Sequence, residues 1–279
     1  MTAVMTTSSD GTRIATYSAG DPANPAILLI HGWAQHALCW GPLTERLKDR
    51  FHIVAMDLRG HGASDKPEDA AAYTDTALWA DDVVAVMDLH HLGDVTLVGW
   101  SYGSRVIASY LATHGDAALA GVVLAGGILA IGSAREDWMV GPASPGLDRD
   151  LYTTDQARLL AATARFVDAC TARPLDRQTY GLMVGANALV PPLVRRALFG
   201  ADWDMRPTYA AMTCPGLVIH GAEDTVVSPA TGEAAAKTMS KGRFLPYEGV
   251  GHAPFLEDPD RFAADLSAFV QDTRKEQAA

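Results

Sequence analysis

Val95-Thr96-Leu97-Val98-Gly99-Trp100-Ser101-Tyr102-Gly103, followed by the helix-like stretch Ser104 to Leu111, sets a G-x-S-x-G pentapeptide between a β-rich apolar run and a helix. A serine on so sharp a strand-to-helix turn must take up an unfavourable backbone conformation. The small residues two before and two after it let the chain close tightly around it. The turn lifts the hydroxyl clear of the sheet, where a base can reach it. In a chain with 25 glycines such a pentapeptide is unremarkable by itself, so its meaning depends on its surroundings.

Outward from this turn, short apolar runs alternate with longer helical patterns. Ala26–Ile30, Ile53–Met56, Val122–Leu124 and Leu217–Ile219 read as strands beside Val95–Val98. That alternation predicts a mostly parallel sheet covered on both faces by helices. The clearest helix spans Asp75 to Leu89, with Leu78, Asp82, Val86 and Leu89 at helical spacing and Thr74 or Asp75 placed to cap it. Arg13 to Ser18 reads as an antiparallel edge strand, and Pro259 to Val270 as the closing helix. The alternation breaks after Gly127. From Ile128 to Met212, prolines punctuate helical pieces rich in aromatic residues and Met. The expected organisation is therefore a core of residues 1–127 and 213–279, with a helical cap or lid of residues 128–212 inserted into it.

The bulk numbers narrow the class. At 279 residues, 48% apolar and 20% charged, the chain has the composition of a globular domain with a sizeable core. No apolar run approaches the roughly 20 residues that span a bilayer, and Met1 to Asp10 lacks a basic segment leading into an apolar one. A cytoplasmic protein is expected. The net charge of −11 disfavours nucleic acid and anionic membrane as partners. Residues 128–212, however, hold nine Arg, no Lys and nine Asp or Glu, so the excess negative charge lies entirely outside them. Cys39, Cys170 and Cys214 have no metal-like spacing and do not suggest a disulfide framework; they read as buried apolar side chains. Among the histidines, His36, His52, His90, His91, His114 and His220 show no ligand spacing. Neither a metal nor a cofactor is expected.

A serine hydroxyl is too weakly acidic to attack a carbonyl at neutral pH without a base. Two further segments end apolar runs: His220-Gly221-Ala222-Glu223-Asp224, and Gly249-Val250-Gly251-His252-Ala253-Pro254-Phe255 after the strand-like Arg243 to Tyr247. In a parallel sheet the carboxyl ends of the strands share one edge, which places Ser101, Asp224 and His252 together. Asp224 has a rival in Glu223.

In this order of Ser, acid and His, the chain resembles the α/β-hydrolase family. The resemblance runs from the first strand to the last helix. His31-Gly32-Trp33 is similar to the family's oxyanion loop, and Asp57-Leu58-Arg59-Gly60-His61-Gly62-Ala63-Ser64-Asp65 to its D-x-R-G-x-G-x-S turn. It implies a mostly parallel eight-stranded sheet, Ser101 as nucleophile, His252 as base, Asp224 as orienting carboxylate, and the backbone N–H groups of Trp33 and Tyr102 as oxyanion hole. His31 then shapes the oxyanion loop by hydrogen bonding, while Arg59 and His61 form the turn near the site. His31, Trp100, Trp138, Met139 and Phe255 are candidate substrate-pocket residues.

The implied activity is cleavage of carboxylic esters of apolar acyl or aryl groups through an acyl-enzyme. A lactonase, a perhydrolase or a C–C bond hydrolase would use the same triad, and a small-molecule receptor would keep the same fold. Serine at position 101 argues against dehalogenase and epoxide hydrolase chemistry, which in this family use aspartate there. Several segments are similar to the small carboxylesterases that demethylate pimeloyl-carrier-protein esters, although Tyr102 and Ser104 replace the usual Leu and Gly. An acidic carrier protein would meet arginines such as Arg195 and Arg196, but nine acidic residues accompany them, and a solvated surface is the plainer reading. Small-molecule esters are the expected partners of a monomer or homodimer.

Overall fold

Alternation within the apolar runs decides which helices cover which face of the sheet. In the computed structural model, which describes residues 3–278, the strands are β1 (Val4–Thr7), β2 (Arg13–Ala19), β3 (Ala26–Ile30), β4 (His52–Met56), β5 (Val95–Trp100), β6 (Leu119–Ala125), β7 (Ala130–Ile131), β8 (Trp203–Asp204), β9 (Gly216–Gly221) and β10 (Gly242–Tyr247). Eight of them form one sheet in the order β1-β2-β4-β3-β5-β6-β9-β10. From β4 through β10 the pairing is parallel, and β1 and β2 are antiparallel. Arg13–Ser18 is thus antiparallel but not at the edge. The edge is β1, four residues whose hydrophobic Val4 and Met5 stay exposed and give little pattern to read.

The helices are α1 (Gly41–Leu47), α2 (Ala71–Thr74), α3 (Thr76–Leu89), α4 (Gly103–His114), α5 (Gln156–Ala169), α6 (Arg177–Ala188), α7 (Pro192–Ala197), α8 (Arg206–Ala210), α9 (Pro229–Thr238), α10 (Pro254–Glu257) and α11 (Pro259–Ala278). Leu28, Ile30, Val54, Leu97 and Val122 point to the face covered by α3, α4 and α9. Their neighbours Ile27, Leu29, Ile53, Val98 and Val123 point to the face covered by α1 and α11. Burying each such side chain contributes on the order of 2 kcal/mol. Helix α3 begins where expected, its Asp75 carboxylate accepting from the Ala77 N–H. Its buried stripe is Trp79, Asp82, Val83 and Val86, however, while Leu89 is 37% exposed.

Asp82 is buried because Arg59 reaches it. The guanidinium donates to both carboxylate oxygens at 2.7 and 2.6 Å, and to Asp10 at 2.9 Å. Arg59 therefore ties the loop after β4 to α3. Two neutral imidazoles tie the same loop to the one after β3. His31 donates from Nδ1 to the Gly32 carbonyl (2.8 Å) and accepts the Leu58 N–H at Nε2 (3.0 Å). His61 likewise donates to the Arg59 carbonyl (2.9 Å) and accepts the Ala34 N–H (3.2 Å). Only the neutral ring has one donor and one acceptor. The Asp57 carboxylate completes the brace, accepting the Ala37 and Ala63 N–H groups at 2.7 and 2.8 Å.

Between β6 and β9 the chain leaves the sheet for the short β7–β8 pair, several 3-10 turns and α5 to α8. Leu129, Phe166, Val190 and Tyr209 of this insert join one cluster with Leu28 and Leu124 of the sheet, and its Val167 and Met183 join the cluster on the other face. The Tyr102 hydroxyl donates to the Leu198 carbonyl (2.7 Å), and the Tyr209 hydroxyl to the Ser104 carbonyl (2.6 Å).

Two stability measurements test this arrangement. A β-carbon at Gly103 would lie 2.4 Å from the Ile30 carbonyl oxygen, so Gly103→Ala should cost about 2–3 kcal/mol in urea unfolding; an unchanged midpoint would refute the close approach of α4 to β3. Burial pushes His31 and His61 down to about 3 from the ordinary 6.5. Between those values the unfolded chain binds the extra proton, so the contribution is full above 6.5 and is lost as pH falls toward 3. At pH 5 the loss should be about 2 kcal/mol per imidazole, and flat urea stability from pH 7 to 5 would show that these rings are not held neutral.

Candidate functional site

Strand β5 ends at Trp100, and Ser101 turns the chain into α4 with φ +52°, the left-handed region that a residue with a β-carbon rarely adopts. Neighbouring backbone holds it there. The Ser101 N–H donates to the Ala125 carbonyl (2.9 Å), and its own carbonyl accepts the Ser104 hydroxyl (2.7 Å). A β-carbon at Gly99 would stand 2.7 Å from the Gly103 backbone, which explains the glycines on both sides of the serine. Ser101 is 8% exposed.

The loops after β9 and β10 bring two more groups to the same edge. His252 Nδ1 lies 2.7 Å from Asp224 Oδ2. Asp224 Oδ1 accepts the N–H groups of Val226 and Val227 at 2.8 and 2.9 Å. His220 Nε2 also lies 2.9 Å from Asp224 Oδ2. Burial by itself would raise the Asp224 carboxyl, but His252 and His220 outweigh it and hold the group well below the usual carboxylate range. Glu223, its rival in sequence, is not among the groups contacting His252.

The His252 backbone is fixed from two sides. Its carbonyl accepts the Trp100 indole N–H (2.8 Å). One residue earlier, Gly251 N–H donates to Glu257 at 2.6 Å, and the second Glu257 oxygen accepts Ala172 N–H (2.8 Å) and Arg173 N–H (3.1 Å) from the insert.

Ser101 and His252 line one cavity of about 520 Å³ of atom-free space, counting its open mouth. Its apolar walls are built from Trp33, Trp100, Tyr102, Met139, Phe166, Phe199 and Val227. Among the candidate pocket residues, Trp100 and Met139 therefore line it, and three do not. His31 is fully buried beneath the loop as a brace. Trp138 is 40% exposed, its indole N–H turned to Glu136 (2.9 Å). Phe255 is buried with its ring centroid 3.9 Å from that of Trp40 and 5.1 Å from that of Trp100, inside the core on the other side of Trp100.

Trp33 and Tyr102 stand beside Ser101, and among the described residues neither backbone N–H donates to another protein group. Arg195 lies over the Trp33 ring at 5.3 Å, and its own carbonyl accepts the Trp33 indole N–H (3.4 Å). The Arg195 guanidinium is fully buried, bonded to the carbonyls of Val190, Leu151 and Asn187. Burial lowers its pKa to about 10. It is not a surface cation.

Sequence reasoning missed His220, Glu257, Phe166 and Phe199 as members of the site. Only His220 carried a usable signal, standing four residues before Asp224 at the end of a strand. Among the described residues, no group of three or more His, Cys, Asp or Glu is placed to hold a metal ion, and no helix is long and apolar enough to cross a membrane.

Comparison with known proteins identifies the family. The profile of the alpha/beta hydrolase family matches residues 27–265. The structure superposes on that of the esterase RhEst1 from Rhodococcus sp. ECU1013 with a TM-score of 0.92 and 35% identity, covering 97% of this chain and 99% of the other. A putative aryl esterase from Burkholderia cenocepacia gives 0.91 and 33%, over 98% and 100%. A pimeloyl-[acyl-carrier protein] methyl ester esterase of Nitrosospira multiformis is 28% identical over 260 residues, 88% of this chain and 95% of the relative. With an eight-stranded, mostly parallel sheet and a family profile matching most of its length, the chain belongs to the alpha/beta hydrolase family.

Proposed function

We propose that the protein is a serine esterase, in which Ser101 attacks the ester carbonyl, His252 takes its proton and Asp224 orients His252. The observation that carries this reading is the hydrogen bond from His252 Nδ1 to a buried Asp224, with His252 and Ser101 lining the same cavity. With Nδ1–H committed to the carboxylate, the Nε2 lone pair is left free to accept a proton. The protein is a carboxylesterase-type hydrolase, and the fold's esterase relatives support the ester as substrate.

As the serine oxygen bonds to carbon, negative charge moves onto the carbonyl oxygen. The free N–H groups of Trp33 and Tyr102 are the donors for it, Tyr102 standing at the positive N-terminal end of α4. Each such donor is worth about 3–4 kcal/mol in acyl transfer. His252 then gives its proton to the leaving alcohol and takes one from water as that water attacks the acyl-enzyme; returning this proton to the serine oxygen, it releases the acid and restores Ser101. In this reading residues 128–212 form the cap over a hydrolase core of 1–127 and 213–279, and the aromatic walls suit aryl or medium-chain acyl groups.

A small-molecule ester fits better than a carrier-bound one. Arg195, one of the two arginines an acidic carrier would meet, is buried, and the nine Arg of the insert are matched by nine acids, so it offers an acidic protein no net positive charge.

Purified protein should hydrolyse p-nitrophenyl esters between acetate and decanoate, and Ser101→Ala should reduce kcat by 10⁴-fold or more; hydrolysis surviving in that variant would sink the proposal. Asp224→Asn should keep the fold and lower kcat about 10⁴-fold, because the amide leaves His252 in the wrong tautomer. A fall of less than tenfold would remove Asp224 from the role.

A further inference from the structure

Arg135 follows the 3-10 turn Gly132–Ala134 on the insert and lines the cavity with Ser101 and His252. Of the residues lining that cavity, it is the one Lys, Arg, Asp or Glu. Asp137, two residues on, forms no ion pair with it, and other acidic groups of the insert are already engaged. Glu136 is held by Arg206 at 2.7 Å and by the Trp138 indole, Asp148 by Arg165 at 2.9 Å, and Asp204 by Arg206 at 2.8 Å. Among the described residues Arg135 forms no ion pair, and the hydrogen bond its side chain makes is a long one, from Nη1 to the Ser144 hydroxyl at 3.5 Å.

A guanidinium has five N–H donors in a planar fork, so most of this one is uncommitted. Gly146 lets the backbone lie close to it, a β-carbon there standing 3.3 Å from Nη2. Its charge is permanent, and its fork matches a carboxylate with two parallel hydrogen bonds. Against aromatic and aliphatic walls, such a pair is weakened by less water than at an open surface. The insert that holds Arg135 is itself neutral, nine Arg against nine acids, and adds nothing to the −11 net charge that the other residues carry.

We propose that Arg135 is a specificity residue that binds a carboxylate on the substrate, remote from the scissile bond, so that the preferred class is half-esters of dicarboxylic acids. The proposal rests on the ester-hydrolase reading of Ser101. It adds an anionic end group to a substrate whose remainder is apolar.

Monomethyl adipate and methyl hexanoate have chains of the same length and differ in the terminal carboxylate. Their hydrolysis is to be followed by acid release in wild type, Arg135→Met and Arg135→Lys. In parallel, both esters are titrated into Ser101→Ala and Ser101→Ala/Arg135→Met, read by tryptophan fluorescence, to which Trp33 and Trp100 contribute from the cavity wall. The ratio of kcat/KM for monomethyl adipate to that for methyl hexanoate should fall at least tenfold in Arg135→Met and less in Arg135→Lys. The Kd for monomethyl adipate should rise by a similar factor in the double variant. Turnover of both esters with that ratio unchanged within twofold in Arg135→Met would overturn the subsite and leave the esterase standing. Turnover of neither ester nor of the p-nitrophenyl esters, with binding of monomethyl adipate still dependent on Arg135, would overturn the esterase reading and uphold the subsite. Neither turnover nor Arg135-dependent binding would overturn both.

Discussion

A serine held at φ +52° costs roughly 1–3 kcal/mol in backbone strain, and the geometry of the whole site depends on that strain being met elsewhere. It is met by close packing. Gly99 and Gly103 let the two arms of the turn touch each other and the end of β3, while the Ala125 carbonyl and the Ser104 hydroxyl bond the serine's own backbone. The bend puts Ser101 above the sheet edge and starts α4 immediately behind it. Trp100, just before the bend, then reaches across to the His252 carbonyl. One turn thereby sets the proposed nucleophile and anchors the proposed base.

Around this turn, rigidity comes from groups that protonation would disable. His31 and His61 each link two loops through one donated and one accepted hydrogen bond, a pairing that the charged ring cannot make. Asp224 works with the opposite sign, gathering two amides and two imidazoles on one buried carboxylate that must stay ionised. Neutral braces and a charged orienting group coexist because burial penalises every charge, and of these three groups Asp224 is the one with enough donors to overcome it.

The insert supplies what the sheet edge lacks. Phe166, Phe199 and Met139 close over Ser101, Arg195 packs on Trp33, and Glu257 bonds both the His252 loop and the α5–α6 loop. These contacts couple the insert to the loops that carry Ser101, Trp33 and His252, so its packing shapes the oxyanion side and the base side together.

The sheet, the Ser-acid-His order and the turn at Ser101 were legible because each is written locally. A parallel strand is a short apolar run, a strand-to-helix turn needs small flanking residues, and strand ends in such a sheet share one edge. Where the local pattern was weak, reading failed: β1 has no apolar face, and the buried face of α3 includes Asp82, which only Arg59, 23 residues earlier, makes tolerable. Residue type suggested His31, Trp138 and Phe255 as pocket walls, yet one became a brace, one a surface residue and one a core ring. His220, Phe166, Phe199 and the open fork of Arg135 likewise took their places only in the folded chain. By itself the sequence determined the layers of the fold and the candidate reacting groups, since periodicity and motif are properties of neighbouring residues. The tertiary structure alone decided which side chains wall the cavity and which charges remain unpaired, because those depend on what distant segments bring into contact.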